Sequence, residues 1–297
     1  MNETTKSRKP QPVPDVVPLA GPGADTAVAR VIPPPKTSLT ELVAKYTAII
    51  YVLCGRGRVG KTLIGHLLIK RLRRAGHPVL IVDADDSNDG LRAFYDDEAA
   101  PESKAQHRSE SEETNAFIRR MIDTITMRGG FAVWDAGGND RTLNAYATGT
   151  RFASYLLAKR IALAHVYVFG DDLSDLSNIA MLDQSRNYET QKVILCANAG
   201  APATKASAST TRAADPFAEV RSSPVVEDLV RRGAGLMTIP KFEFADQLNE
   251  LDLDLFDAID GKPGKDGTPL GPSTEFEISE WWKEVEAAFA EQEAWLP

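Results

Sequence analysis

The chain has 297 residues, 43% of them hydrophobic, which is enough for a substantial core in one large domain or two small ones. No apolar run approaches the ~20 residues that span a bilayer, and the opening Met1-Asn-Glu-Thr-Thr-Lys-Ser-Arg-Lys-Pro10 lacks a secretory hydrophobic stretch, so a cytoplasmic protein is expected. Cys54 and Cys196 each close an apolar run and read as small buried residues, while His66, His77, His107 and His165 have no metal-ligand spacing. The net charge of −8 is uneven: from position 235 onward 15 acidic residues face four basic ones.

The first 45 residues hold eight of the 18 prolines, densest at Pro33-Pro34-Pro35, and read as a disordered or polyproline-like tail. It is either a solvated leader or a docking segment for a protein partner. Thr40 to Tyr46 reads as a short approach to the first strand. Thr47-Ala-Ile-Ile-Tyr-Val-Leu-Cys54 is a buried strand, and Thr62 to Ala75 carries Ile64, Leu67, Leu68 and Leu72 at helical spacing. Between them, Gly55-Arg56-Gly57-Arg58-Val59-Gly60-Lys61-Thr62 is a complete Gly-x-x-x-x-Gly-Lys-[Ser/Thr] phosphate loop in its expected setting of strand, loop and helix. The loop's N–H groups and the helix N-terminus aim at one place and offer a polyphosphate oriented donors and partial positive charge. Lys61 is placed to reach the β and γ phosphates, and the Thr62 hydroxyl to ligate Mg2+.

Strand-like and helix-like runs then alternate. Gly76 and Pro78 end the first helix, and Val79–Val82 is the second strand; residues 96–113 form a polar insertion, and Thr114–Met127 a helix. Phe131–Trp134 is the third strand, followed by a helix over Leu143–Ala158 and a strand over Ala164–Phe169. A helix capped by Asp171 or Asp172 runs to about Asn187, then come the strand Val193–Ala197 and a loop rich in Ala, Ser and Thr over 199–215. A short helix over Val225–Arg232 leads to the strand Leu236–Ile239, halted by Pro240. The last helix is expected from about Thr274, with Glu277 completing a capping box and Trp281, Val285, Ala288 and Phe289 on one stripe. The pattern predicts an α/β chain of the three-layer P-loop NTPase fold, with a mostly parallel twisted sheet flanked by helices on both faces.

Ligands of open α/β sheets bind at the carboxyl ends of the strands, and acids stand there. Asp135 ends the third strand and reads as the acid that holds Mg2+ through a water, or else as a turn starter. After the second strand comes Asp83-Ala-Asp85-Asp86. Of these, Asp83 reads as a partner of the magnesium water and Asp85 as the group orienting the attacking water; a plain Asp-rich turn is the alternative. Gly137 and Gly138 would let their loop approach the γ phosphate and sense its loss.

The phosphate loop, Val82-Asp-Ala-Asp85 with Gly90-Leu91-Arg92 beyond it, the Asp135 strand end and Ile239-Pro240 together resemble the ParA/MinD family of deviant-Walker-A P-loop ATPases. The resemblance covers roughly residues 47 to 258. With the composition of the two ends, this divides the chain into the proline-rich tail 1–45, a ParA-like ATPase domain 46–260 and an acidic linker and helix 261–297 packed on it. The resemblance implies ATP and Mg2+ as cofactors, slow hydrolysis, and an ATP-dependent homodimer that positions a cargo in plasmid partition or conjugative transfer. In that family the loop reads Lys-Gly-Gly-x-Gly-Lys-Thr, and the early lysine crosses the dimer to the partner's nucleotide. Here Arg56 stands at that position, keeping the charge and adding a planar fork, and Arg58 replaces the second glycine, either obstructing the sandwich or adding a phosphate contact. Asp135-Ala-Gly-Gly replaces the family's Asp-x-Pro.

By the same resemblance Asn198 and Pro240 belong to the nucleotide pocket, Asn198 beside the adenine or else a plain loop-starting asparagine; no Asn-Lys-x-Asp guanine motif is present. Nonspecific DNA has its footholds in Arg231 and Arg232 or in the Lys70 to Arg74 cluster. Glu280, Glu284, Glu286, Glu291 and Glu293 on the last helix exclude its use as a membrane anchor. Two rival functions stand beside the ATPase: a nucleotide-gated adaptor with little hydrolysis and an unidentified protein partner, and a small-molecule kinase or ligase of related fold.

Overall fold

A computed structural model describes residues 39–84, 90–95, 111–136, 142–185, 190–201, 215–292 and 295–297, all within the compact unit Thr37–Pro297. The proline-rich stretch up to residue 38, Asp85, Asp86, Gly137, Gly138, most of the polar insertion and most of the 199–215 loop lie outside the described residues.

Six strands, β1 (Ala48–Cys54), β2 (Val79–Asp83), β3 (Gly130–Asp135), β4 (Ile161–Phe169), β5 (Lys192–Asn198) and β6 (Gly235–Ile239), form one sheet in the order β2-β3-β1-β4-β5-β6. Every pairing is parallel. Such a sheet needs both faces covered, which is why its strands are continuous apolar runs. Side chains alternate between two cores. Ile49, Tyr51 and Leu53 of β1 point to one face and Ala48, Ile50 and Val52 to the other.

The first face is covered by α1 (Leu39–Lys45), α2 (Lys61–Arg74), α3 (Arg92–Tyr95), α10 (Ala245–Glu250), α11 (Leu255–Ile259) and α12 (Pro272–Ala290). On the second lie α4 (Ser111–Arg128), α5 (Thr142–Gly149), α6 (Phe152–Ala158), α7 (Leu176–Ser185), α8 (Ala218–Arg221) and α9 (Pro224–Arg231). In α12, Ile278, Trp281, Val285 and Phe289 enter the same core as α2, so the acidic C-terminal helix is part of the layer.

Four differences from the sequence reading have local causes. Helix α1 occupies the last seven residues of the stretch read as a tail, held by buried Leu42 and by Arg160, whose guanidinium donates to the carbonyls of Ala44 and Lys45 at 3.0 and 2.9 Å. Strand β4 starts at Ile161, because Ile161 pairs with Ala48 at the start of β1. The helix expected over Leu143–Ala158 is two helices, broken at Thr150 and Arg151 after Gly149, where no apolar side chain holds the helix face. Helix α12 starts at Pro272, whose fixed φ suits a first turn; its cap position is Gly271, with no side-chain cap, so the Thr274 and Glu277 capping box is not formed.

Candidate functional site

The phosphate loop leaves the carboxyl end of β1, which lies between β3 and β4, and passes the ends of β4 and β5; its outer glycines are required by what they pass. At Gly55, with φ 150°, a methyl group would lie 2.3 Å from the Val168 carbonyl oxygen; at Gly60, with φ 91°, it would lie 2.1 Å from Asn198 Nδ2. Gly57 has open space around it. Lys61 opens α2 nearly buried, and its ammonium donates to the Arg56 carbonyl at 3.3 Å, so it curls back over its own loop.

Asn198 ends β5 and is buried. Its Nδ2 donates to the Val59 carbonyl at 2.8 Å, and its Oδ1 accepts from Gly200 N at 3.0 Å. Both ends of the amide are thus used within the protein, and Asn198 acts here as a clamp on the loop. The Pro240 carbonyl accepts from Trp281 Nε1 at 3.0 Å, which ties the exit of β6 to α12.

On the other side of the loop the structure gathers oxygens. Asp83 and Asp135 are register partners at the ends of β2 and β3, both buried, and the Thr62 hydroxyl donates to Asp135 Oδ2 at 3.4 Å. A methyl group on Gly90 would lie 3.2 Å from Thr62 Oγ1, 3.4 Å from Asp135 Oδ2 and 3.7 Å from Asp83 Oδ2, so the three oxygens face one spot. Hard oxygen donors of this kind suit Mg2+, and two carboxylates brought together favour a divalent cation between them. Asp85, the expected water-orienting residue, lies outside the described residues.

The two loop arginines differ. Arg58 is exposed with φ 67°, so the family's glycine position is one where the backbone is left-handed, and an arginine here carries about 1 kcal/mol of strain. Arg56 is engaged within its own chain. Its Nη1 contacts Ser174 Oγ and lies 3.4 Å from Asp175 Oδ1 and 3.7 Å from Asp172 Oδ2. These partners sit on the short 3-10 turn Leu173–Asp175 after β4, which Asp172 caps by accepting from Ser174 N at 2.8 Å. That backbone contact holds the Asp172 carboxyl below the usual range. Burial pushes Asp175 the other way, against the Gly170 N–H, which donates to its Oδ2 at 2.8 Å, and the Arg56 charge. Sequence reading missed Asp175; the signal was the run Asp171-Asp172-Leu173-Ser174-Asp175 at a strand's carboxyl end.

The expected DNA footholds carry surface ion pairs, with Arg231 still largely exposed. Arg232 bonds Asp183 at 2.6 Å and Asp228 at 2.9 Å, Arg231 pairs with Asp228, Lys70 with Asp254, Arg71 with Glu286 and Arg74 with Asp260. No helix among the described residues is long and apolar enough to cross a membrane.

No protein-family model matches the chain, and no curated protein matches it. Solved structures do. A chain of the MinC:MinD cell division protein complex of Aquifex aeolicus is 14% identical, with 81% of this chain and 96% of that one covered and a TM-score of 0.42. A putative plasmid partition protein of Borrelia burgdorferi bound to AMPPNP is 11% identical over 82% and 99% of the two chains, TM-score 0.44. A second plasmid partition protein from Borrelia burgdorferi is 11% identical over 69% and 95%, TM-score 0.42. The likeness is one of general architecture, and no function follows from it.

Proposed function

We propose that the chain is a ParA/MinD-like ATPase that binds Mg-ATP, hydrolyses it slowly and uses nucleotide-dependent dimerisation to position a cargo in plasmid partition or conjugative transfer. One observation carries the reading: a phosphate loop gripped by β4 and β5 on one side opens on the other onto the Thr62, Asp83 and Asp135 oxygens. Phosphates would sit on the loop N–H groups and Lys61; a Mg2+ ion held by Thr62 and, through water, by Asp135 and Asp83 would neutralise charge on the β and γ oxygens. Asp85 is proposed to orient the attacking water, and Pro240 to border the base.

The test is equilibrium binding of a fluorescent ATP analogue together with steady-state phosphate release. Lys61→Ala is expected to lower turnover by about a hundredfold or more, the scale of losing a charge-stabilising group at the transferred phosphate. Wild type that neither binds nor hydrolyses ATP in Mg2+ would sink the reading.

The engagement of Arg56 by Asp172, Ser174 and Asp175 favours a second reading, a nucleotide-gated adaptor with little hydrolysis and no crossing arginine. Size-exclusion chromatography with a nonhydrolysable ATP analogue separates the two: a dimer supports the first, a persistent monomer the second.

A further inference from the structure

Residues 90–95 run along α2 and meet one stripe of it. Gly90 stands over Thr62 at the magnesium corner. Leu91, fully buried, lies against Gly65, where a methyl group would come within 3.1 Å of Leu91 Cδ2 and 2.7 Å of Leu53 Cδ1. Tyr95 places its hydroxyl 2.8 Å from His66 Nδ1. Positions 62, 65 and 66 are spaced as i, i+3 and i+4 and so share a helix face.

Beyond His66 the stripe continues to α11. His66 Nε2 lies 3.2 Å from Asp254 Oδ2. Lys70 Nζ is 3.5 Å from Asp254 Oδ1, and Asp254 caps α11 by accepting from Phe256 N at 2.8 Å. His66 and Tyr95 are each only 4% exposed, and the imidazole lies between the rings of Phe94 at 5.0 Å and Phe256 at 5.2 Å, while Arg73 covers the Tyr95 ring at 5.1 Å. A buried polar chain of this kind fixes geometry, because each member loses its partner if the others move. Nucleotide binding as described above uses none of it.

We infer that Tyr95, His66 and Asp254 are positioning residues that set how closely Gly90 sits on Thr62 and Asp135, and thereby the Mg2+ affinity of the nucleotide site. The inference rests on the Mg-ATP reading. The phosphate loop is held from the opposite side, by Val168 and Asn198, so loosening α3 reaches the cation and leaves the phosphate grip in place. A Cβ at Gly90 would be tight against Thr62 Oγ1 and in ordinary contact with the Asp135 and Asp83 oxygens, so the chain passes directly over them, and Tyr95 is the anchor that keeps the passage at that height.

The experiment measures ATP-analogue affinity in Mg2+ and in EDTA for wild type, Tyr95→Phe and Asp254→Asn, with melting temperatures alongside. Tyr95→Phe keeps the ring against Arg73 and removes only the hydroxyl. The expected result is an affinity in Mg2+ about fivefold weaker, the scale of one hydrogen bond, with affinity in EDTA within about twofold of wild type and the Mg2+ titration midpoint moved up by the same factor. Asp254→Asn shifts the midpoint in the same direction. Equal losses in Mg2+ and EDTA, or a lower melting temperature with an unmoved midpoint in both variants, overturn the inference and leave the Mg-ATP reading intact. Wild type that binds no nucleotide, or binds it identically with and without Mg2+, overturns both.

Discussion

The two ends of the sheet are built on opposite logic. At the amino ends of the strands, polar groups close on the protein itself: Arg160 on the carbonyls of α1, the Thr47 hydroxyl on the Lys159 carbonyl at 2.6 Å, Lys192 on the Gly233 carbonyl at 2.8 Å, and the Gln191 side chain on Leu163 N at 2.6 Å. At the carboxyl ends, groups of one kind gather at a point: the Thr62, Asp83 and Asp135 oxygens around Gly90, with Lys61 curled over the loop beside them. Strand ends that meet helix C-termini have spare carbonyls, which here take donors from Arg160, Thr47 and Lys192, whereas strand ends that meet helix N-termini present N–H donors suited to an anion. Damage at the first end should cost stability alone; damage at the second should cost ligand binding.

The largest expected effect is at the site end. Gly60→Ala places a methyl group into the Asn198 amide at a left-handed backbone position, which displaces the Val59 to Lys61 turn. Affinity for an ATP analogue, read by fluorescence titration, should fall by about a hundredfold or more, as several oriented N–H groups miss the phosphates together. The next effect belongs to the sheet interior. His165 lies buried in β4 against the Tyr167 hydroxyl at 3.1 Å, and burial pushes its pKa from 6.5 down to about 3. The unfolded chain takes up this proton below pH 6.5 while the fold refuses it until about pH 3, so stability falls as pH drops through that window. Denaturant titrations should show a loss of about 2 kcal/mol at pH 5 relative to neutral pH, and His165→Gln should flatten that slope. Arg160→Ala, at the amino end, should cost about 1 kcal/mol by freeing the α1 carbonyls while leaving ATP-analogue affinity unchanged; a matching loss of affinity would break the division between the ends. The smallest effect has the opposite sign. Arg58→Gly removes a left-handed non-glycine residue and should stabilise the fold by up to about 1 kcal/mol in thermal melts.

Much of this was legible in the sequence, for reasons that individual residues make plain. The strands were readable because both faces of a parallel sheet are buried, so Ile49-Ile-Tyr-Val-Leu-Cys54 and Val193-Ile-Leu-Cys-Ala197 stand out as unbroken apolar runs. The loop was readable because its glycines, lysine and threonine are contiguous. Strand order was not readable, since it is set by packing between segments far apart in sequence. The same holds for Asn198, whose partner Val59 is 139 positions away, and for Arg56, whose partners lie beyond β4. The break between α5 and α6 was in fact marked, by Thr148-Gly149-Thr150-Arg151, four residues with no apolar side chain to hold a helix face and a glycine at the end of α5.

The glycines at 65 and 90 constrain the chain in a way the loop alone does not. A side chain at 65 would strike Leu53 and Leu91, and one at 90 would press on the Thr62 hydroxyl. Any distant relative that keeps this arrangement must therefore keep a small residue five positions after the last loop glycine, another shortly past the second strand, and a hydroxyl-bearing ring five beyond that. Added to the eight-residue loop, these positions make a narrower fingerprint than the loop alone.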